Sequence, residues 1–493
     1  MWAALASALG AVAIVLLVRH AATYFFLFDD FAVFGELPGI SVSRILREPL
    51  GSFYRPLALL ILKVEAHVFG FSRPWGPATV SVLLHLLNAG LGGLLVRRDG
   101  QRTGVAAAAG ALFLAAPWAG EGVFWVSAQF DLLSTAAFLA ALLLAGAALR
   151  STGRSWAWAG AAAVAAGAAL SSKELAVTLP VVALLLGLAQ AEEGMTGTGQ
   201  ARRPWHLWQL WRPRRLTLVV GLLGLVTAAY LAARWQLLPG LRGPYGEYGA
   251  LLRSGGWQNL ASHLLAFAVP PLGAAGGART VLLAAWATGL LLVAVRAARL
   301  DLARTVLRLA AFLFSLAPIL TLSSGPGSIP GGRLLYAPGA LLVVTLAPGL
   351  APRRGSRPGR PSRAALPVLA FVLLAAVALI SLRRQQRLWG AASALARHVV
   401  EYPFPAADGR PLRIENLPLR FENGPYLLKS YAFRYYRGAA WKGPVCALGV
   451  VLAADPEHLR IVGRESDPFS EVAAGPEDLL VELPLSDAWL SIR

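Results

Sequence analysis

The sequence predicts an α-helical polytopic membrane protein with about eleven transmembrane helices and a small C-terminal α/β domain outside the membrane. Three observations carry that reading. Only 14% of the 493 residues are charged and 56% are hydrophobic, with a mean hydropathy of +0.58, whereas a soluble chain carries about a quarter charged residues. Apolar runs of spanning length recur as far as residue 382. From Arg383 the composition turns soluble. A disordered polymer, a coiled coil and a water-soluble multidomain enzyme are thereby excluded. A formal charge of +19 and a pI near 11.0 would point to nucleic acid in a soluble protein. Here the basic residues are mostly Arg, clustered between apolar runs, so membrane lipids and not nucleic acid are the expected neighbours. A single cysteine, Cys446, excludes an intrachain disulfide framework and a cysteine-rich metal site.

A spanning helix needs roughly 20 apolar residues, because the hydrocarbon core satisfies no open backbone. The candidate spans are Trp2–Phe28, Trp75–Val96, Val105–Pro117, Leu132–Leu149, Trp156–Leu170 and Leu175–Ala189. They continue with Leu216–Ala233, Val281–Val295, Val306–Leu322, Leu335–Leu350 and Leu366–Leu382. The first is over-long, contains Arg19 and His20, and has no basic segment before its apolar run, so an uncleaved anchor is expected. Several spans are short and rich in Ala or Gly, which suits close helix packing. Trp257–Leu272 carries Gln258, Asn259 and His263 and ends in Pro270-Pro271, and reads as an interfacial or re-entrant helix.

Orientation follows from arginine clusters at Arg97/Arg98/Arg102, Arg150/Arg154, Arg202/Arg203/Arg212/Arg214/Arg215, Arg296/Arg299/Arg304 and Arg353/Arg354/Arg357/Arg360/Arg363. If these loops are cytoplasmic, the N-terminus is inside and the C-terminal domain is outside a plasma (inner) membrane. Residues 1–382 then form the membrane domain and 383–493 the outer one. In the latter, Leu412–Ile414, Val445–Leu452, Leu459–Val462 and Leu479–Leu483 read as strands between Pro/Gly turns.

Ionisable residues at apolar margins are costly and ask for a partner or a function. The first outward loop begins with Asp29-Asp30, whose mutual repulsion raises one pKa unless a cation balances it. That suits a general base or a metal ligand; the competing reading is a solvated pair ending the helix. Arg55, in Tyr54-Arg55-Pro56-Leu57, can fork onto a phosphate or simply meet lipid headgroups. His85 and Asn88 share a helix face and suit an interhelical hydrogen-bonding support. In the second outward loop, a helix would set Glu121, Trp125 and Gln129 on one stripe with Asp131 off it, a face that suits a sugar or ordinary packing. Lys173-Glu174 read either as a snorkelling pair or as site groups, and Arg333, before Tyr336, as a phosphate ligand or a helix cap. All of these fall on the outward side of a scheme drawn from arginines alone. Such a gathering describes a site for an anionic lipid-linked substrate and an acceptor.

Taken together, the chain resembles the GT-C superfamily of integral-membrane glycosyltransferases. It is most similar to the transmembrane O-mannosyltransferases that carry tetratricopeptide repeats, and to their bacterial relatives. The carrying pieces occur in family order over about residues 25–340: Asp29-Asp30, Tyr54-Arg-Pro-Leu57, Trp75 with His85-Leu-Leu-Asn88, Glu121 with Trp125 and Asp131, Ser172-Lys-Glu174 with Pro180, and Arg333-Leu-Leu-Tyr336-Ala-Pro338. Relatives often have His-Pro-x-His where this chain has Ala116-Pro117-Trp118-Ala119, an Arg in place of Gln129, and a Glu in place of Gly332. The repeats are absent. These departures bear on the acceptor and on any metal more than on the reaction type.

The resemblance implies a GT-C-like fold and a hexosyl- or mannosyl-type transfer from a polyprenyl-phosphate-linked sugar to a hydroxyl on protein, lipid or glycan. The mechanism expected on that basis is inverting displacement with Asp29, or second Asp30, as base. Arg55, Lys173 and Arg333 would hold the donor phosphate. Glu121, Trp125, Gln129, Asp131, Glu174 and Tyr336 would hold sugar or acceptor, with His85 and Asn88 in support. A divalent cation at Asp29, Asp30 and Glu121 stays open. A transporter or flippase of lipid-linked saccharides is the rival reading; no internal repeat supports it, and the charges lie at the outer edge instead of the midplane.

Overall fold

The computed structural model describes residues 1–50, 53–151, 153–191, 213–238, 256–273, 276–322, 324–351, 362–404, 412–437, 445–467 and 478–490. Helix α1 is Trp2–Thr23, shorter than the expected span. Tyr24, Phe25, Phe26 and Leu27 leave the helix because all four side chains are buried, packed in an aromatic cluster with Phe31, Phe34, Phe71 and Tyr436. A helix in lipid would present part of that run outward. Two short helices follow, α2 (Asp29–Glu36) and α3 (Val42–Arg47), the latter capped by the Ser41 hydroxyl on Arg44 N. Next comes α4 (Pro56–Phe69), which starts with Pro at its first position, where a missing N–H costs nothing. At 14 residues α4 is too short to cross a bilayer.

The bundle continues with α5 (Trp75–Arg98), α6 (Thr103–Leu114), the short α7 (Gly120–Phe124), α8 (Gln129–Arg150), α9 (Ser155–Ser172) and α10 (Leu179–Ala191). Then come α11 (Pro213–Leu237), α12 (Gly256–Ala268), α13 (Gly276–Leu300), α14 (Leu302–Ser315), α15 (Tyr336–Leu346) and α16 (Ser362–Glu401). Small residues set the closest crossings. A Cβ on Gly93 of α5 or Gly110 of α6 would come within 3.0 Å of a carbonyl on the other helix. On α9 the buried stripe is Ala159, Ala162, Ala166 and Ala169.

Among the described residues, eight helices are long and apolar enough to cross a bilayer, or nine if α6 and Pro117–Phe124, bent by 47°, form one broken span. Every expected span coincides with a helix, but α9 and α10 are outside that set of eight or nine. The first is diluted by Ser, Gly and Trp, and the second belongs to a shorter apolar stretch, Glu174–Gln190. Large apolar side chains such as Val15, Leu83, Val164, Leu225 and Leu291 point away from the protein interior, as lipid-facing residues do. The fold is that of a helical multi-pass membrane protein. Trp257–Leu272 forms only the 13-residue α12. Arg202, Arg203, Arg212, Arg353, Arg354, Arg357 and Arg360 lie outside the described residues.

The chain ends in a four-stranded sheet of order β3-β2-β1-β4, built from β1 (Leu412–Phe421), β2 (Val445–Leu452), β3 (Ile461–Ser466) and β4 (Leu479–Val481). Strand β1 runs parallel to β2 and β4, while β3 is antiparallel to β2. The β1–β2 crossover carries α17 (Tyr431–Arg437). The 40-residue α16 passes through residue 383 without a break. It is about 60 Å long, twice the hydrocarbon thickness of about 30 Å. Its C-terminal half buries Leu388, Trp389, Leu395 and Val399, and stacks His398 on Trp489 at 5.5 Å.

Candidate active site

The two adjacent acids part company at once. Phe28, just before α2, has φ 46, a left-handed value that a bulky side chain tolerates only when its surroundings enforce it. That twist turns Asp30 inward. Its carboxylate accepts from Tyr24 Oη, from Leu27 N at 2.9 Å, and from Ser127 N and Oγ at 2.8 and 2.5 Å. Its acceptor capacity is spent on holding the segment before α2 to the loop between α7 and α8. Burial pushes this carboxyl up to about 6, against the pull of those hydrogen bonds. The expected rise of one acid in the pair is therefore present, but desolvation and not repulsion by Asp29 is its cause.

Asp29 faces the other way, into a cavity of about 730 Å³. The same cavity is lined by Arg44, Arg55, Arg333 and Glu36 and by the apolar Val33, Leu37, Leu50, Phe53, Leu59 and Phe130. Arg55 is held by a fork onto Glu174, Nη2–Oε1 at 2.6 Å and Nε–Oε2 at 3.0 Å, and its guanidinium lies 4.1 Å from the Phe53 ring centre. Arg333 lies over the Trp125 ring at 4.5 Å, and its backbone N–H donates to Glu121 Oε2 at 3.0 Å.

The remaining candidates are engaged with one another. Lys173 and Asp131 form an ion pair at 2.5 Å with side chains 2% and 3% exposed, so a snorkelling lysine is ruled out. Lys173 is not among the residues lining the cavity. The single stripe expected for Glu121, Trp125 and Gln129 does not form. Trp125 is extended (φ −119, ψ 119) between α7 and a 3₁₀ turn, so helical spacing does not apply across it. Gln129 instead donates to Glu65 Oε2 and to Pro77 O. Tyr336 is buried against His85 Nδ1 at 2.6 Å and Asn88 Nδ2 at 3.3 Å, which ties α5 to α15. Among the described residues no three His, Cys, Asp or Glu side chains group to hold a metal ion. Asp29, Asp30 and Glu121 fail as a trio because Asp30 is saturated and turned away from the cavity.

Sequence reasoning missed several contributors. Ser127 completes the Asp30 cradle. Lys429 and Tyr431, from the C-terminal unit, reach Asp29 at 3.5 and 3.0 Å. Glu65 of α4 is buried, and burial pushes its carboxyl up to about 7, with the Gln129 amide opposing. Its Oε1 and that of Gln129 have no hydrogen-bond partner. The folded chain binds the Glu65 proton more tightly than the unfolded one, so this group's contribution to stability falls as pH rises from about 4.5 to 7. Glu65→Gln is expected to flatten that part of the stability–pH curve and to raise the thermal midpoint at pH 8, read by unfolding of the purified protein in detergent. An unchanged slope would refute the assignment.

Fold and site together define a multi-pass membrane protein that sets a carboxylate and two arginines in one cavity at an end of its helical bundle. Against known proteins, no family model and no curated protein matches the chain. Among solved structures it is similar to ArnT from Cupriavidus metallidurans, in the apo state at 15% identity over 90% of this chain and 85% of that one, TM-score 0.44. The form bound to undecaprenyl phosphate matches at 15% identity over 90% and 92%, TM-score 0.43. The archaeal oligosaccharyltransferase AglB from Archaeoglobus fulgidus, in complex with an inhibitory peptide and a dolichol-phosphate, matches at 12% identity over 82% and 62%, TM-score 0.43.

Proposed function

We propose that the chain is a GT-C-type membrane glycosyltransferase that moves a sugar from a polyprenyl-phosphate donor to an acceptor hydroxyl, with inversion. The observation that carries this reading is the shared cavity: Asp29, Arg55 and Arg333 line one space together with many apolar side chains. A carboxylate beside two guanidiniums suits a proton acceptor next to an anionic leaving group, and the apolar lining suits an isoprenoid chain. In the proposed step Asp29 takes the acceptor proton as the acceptor oxygen attacks the anomeric carbon. The bond from that carbon to the phosphate oxygen breaks, and its electron pair leaves with the lipid phosphate. Arg55, fixed by Glu174, and Arg333, fixed by Trp125, balance the charge that develops there. Phe130 and Arg333, at the starts of α8 and α15, line the cavity, whereas Arg150 ends α8, Arg98 reaches Leu143 O toward that end, and Arg296 reaches Gly349 O beyond the end of α15. By the positive-inside rule the cavity then opens on the extracytoplasmic side of a plasma (inner) membrane, with the N-terminus cytoplasmic.

The test supplies proteoliposomes with tritiated undecaprenyl-phosphate mannose, glucose and galactose and a washed cell-envelope fraction. Label joined to acceptor through a new glycosidic bond is the expected result. Translocated donor with its sugar still on the lipid would replace the enzyme by a transporter.

A further inference from the structure

The carboxylate assigned as base sits in the first loop, yet the groups that touch it come from the other end of the chain. Tyr431 Oη donates to Asp29 Oδ1 at 3.0 Å, and Lys429 Nζ lies 3.5 Å from the same oxygen. Both of these contacts fall on Oδ1, while the side chain, 45% exposed, lines the cavity. A carboxylate gripped on one oxygen presents the other.

The gripping segment is itself fastened on both sides. Toward the membrane unit, Phe28 N donates to Leu427 O at 2.7 Å, Lys429 Nζ sits 3.6 Å from the Phe28 ring centre, and the Tyr426 ring lies 4.8 Å from that of Phe28. Tyr435 donates to Glu36, and its ring occupies the space beside Gly35, where any side chain would collide. Toward the sheet, Asp467 Oδ2 accepts from Ser430 N at 2.7 Å. Residues 426–435 thus form a collar over α2. The collar meets the strained Phe28 and the cavity-facing Asp29 together.

We propose that Lys429 and Tyr431 are positioning residues for the transfer reaction: they hold Oδ1 of Asp29 so that Oδ2 meets the acceptor hydroxyl, which makes the C-terminal unit a working part of the site. This rests on the reading of Asp29 as the base. A hydrogen bond to a charged group contributes enough that losing either partner lowers kcat by about 10- to 100-fold. Donor binding depends on other residues, so the KM for the donor stays put.

The experiment compares purified wild-type protein with Tyr431→Phe, Lys429→Met, Lys429→Arg, Tyr435→Phe and Asp29→Asn. Donors and acceptor are those of the proteoliposome assay, and thermal unfolding in detergent is recorded beside each rate. Expected are a fall in kcat at constant donor KM for Tyr431→Phe and Lys429→Met, substantial recovery with Lys429→Arg, and near-wild-type kcat for Tyr435→Phe, which loosens the collar without touching Asp29. If Tyr431→Phe and Lys429→Met stay within about twofold of wild type while Asp29→Asn is inactive, the positioning role is lost and the base survives. Equal losses in Tyr435→Phe and Tyr431→Phe would reduce the collar to a fastening. Transfer by Asp29→Asn, or none by wild type from any donor, would remove both ideas.

Discussion

Asp29→Asn is expected to lower kcat by about 10²- to 10⁴-fold, the usual worth of a positioned general base, with thermal unfolding of the purified protein unchanged. Its neighbour should behave in the opposite sense. Asp30 accepts four hydrogen bonds from Tyr24, Leu27 and Ser127. An amide in its place turns an N–H₂ toward groups that themselves donate, leaving buried donors unmatched at about 1–3 kcal/mol. Asp30→Asn should therefore lose folded protein first, and activity only in proportion. Near-normal transfer by Asp29→Asn, measured with the same donor panel, would end the case for a base at this position.

Lys173→Met should be among the most destabilising single changes in the chain. It leaves the Asp131 carboxylate buried and uncompensated, which costs about 3–5 kcal/mol. The double variant Lys173→Met, Asp131→Leu removes the stranded charge and is expected to recover most of the loss in detergent unfolding experiments. Its kinetics matter as much. A wild-type donor KM in the double variant would take Lys173 out of phosphate binding and leave that work to Arg55 and Arg333. A raised KM in a folded double variant would restore the lysine to the site.

The membrane helices are legible because lipid imposes one rule on every span, a long apolar run, and each predicted run falls on a helix. Helix α4 escapes that rule. Lys63, Glu65 and His67 interrupt its apolar run, and only tertiary burial explains how Glu65 is accommodated. Among the site residues, the acids and arginines are conspicuous in sequence as charges in apolar surroundings, but their pairing is not. Arg55 finds Glu174, Lys173 finds Asp131, and Tyr431 finds Asp29 across 119, 42 and 402 residues. No periodicity reports contacts of that range. The Glu121–Gln129 stripe fails for a different reason: Trp125 is extended, and a one-residue break of helical phase redirects everything after it.

The unbroken α16 has a mechanical corollary. A helix about 60 Å long that is continuous through residue 383 resists bending there, since a hinge would sacrifice backbone hydrogen bonds. The sheet it carries is therefore geared to the bundle. Tyr436 and Arg437, just beyond the collar, donate to Glu401 Oε1 at 2.9 Å and to Val400 O at 2.8 Å, so the end of α16 and the collar are fastened together. The C-terminal unit is thereby braced on the same helix that meets α1 edge to face at Trp2 and Phe371.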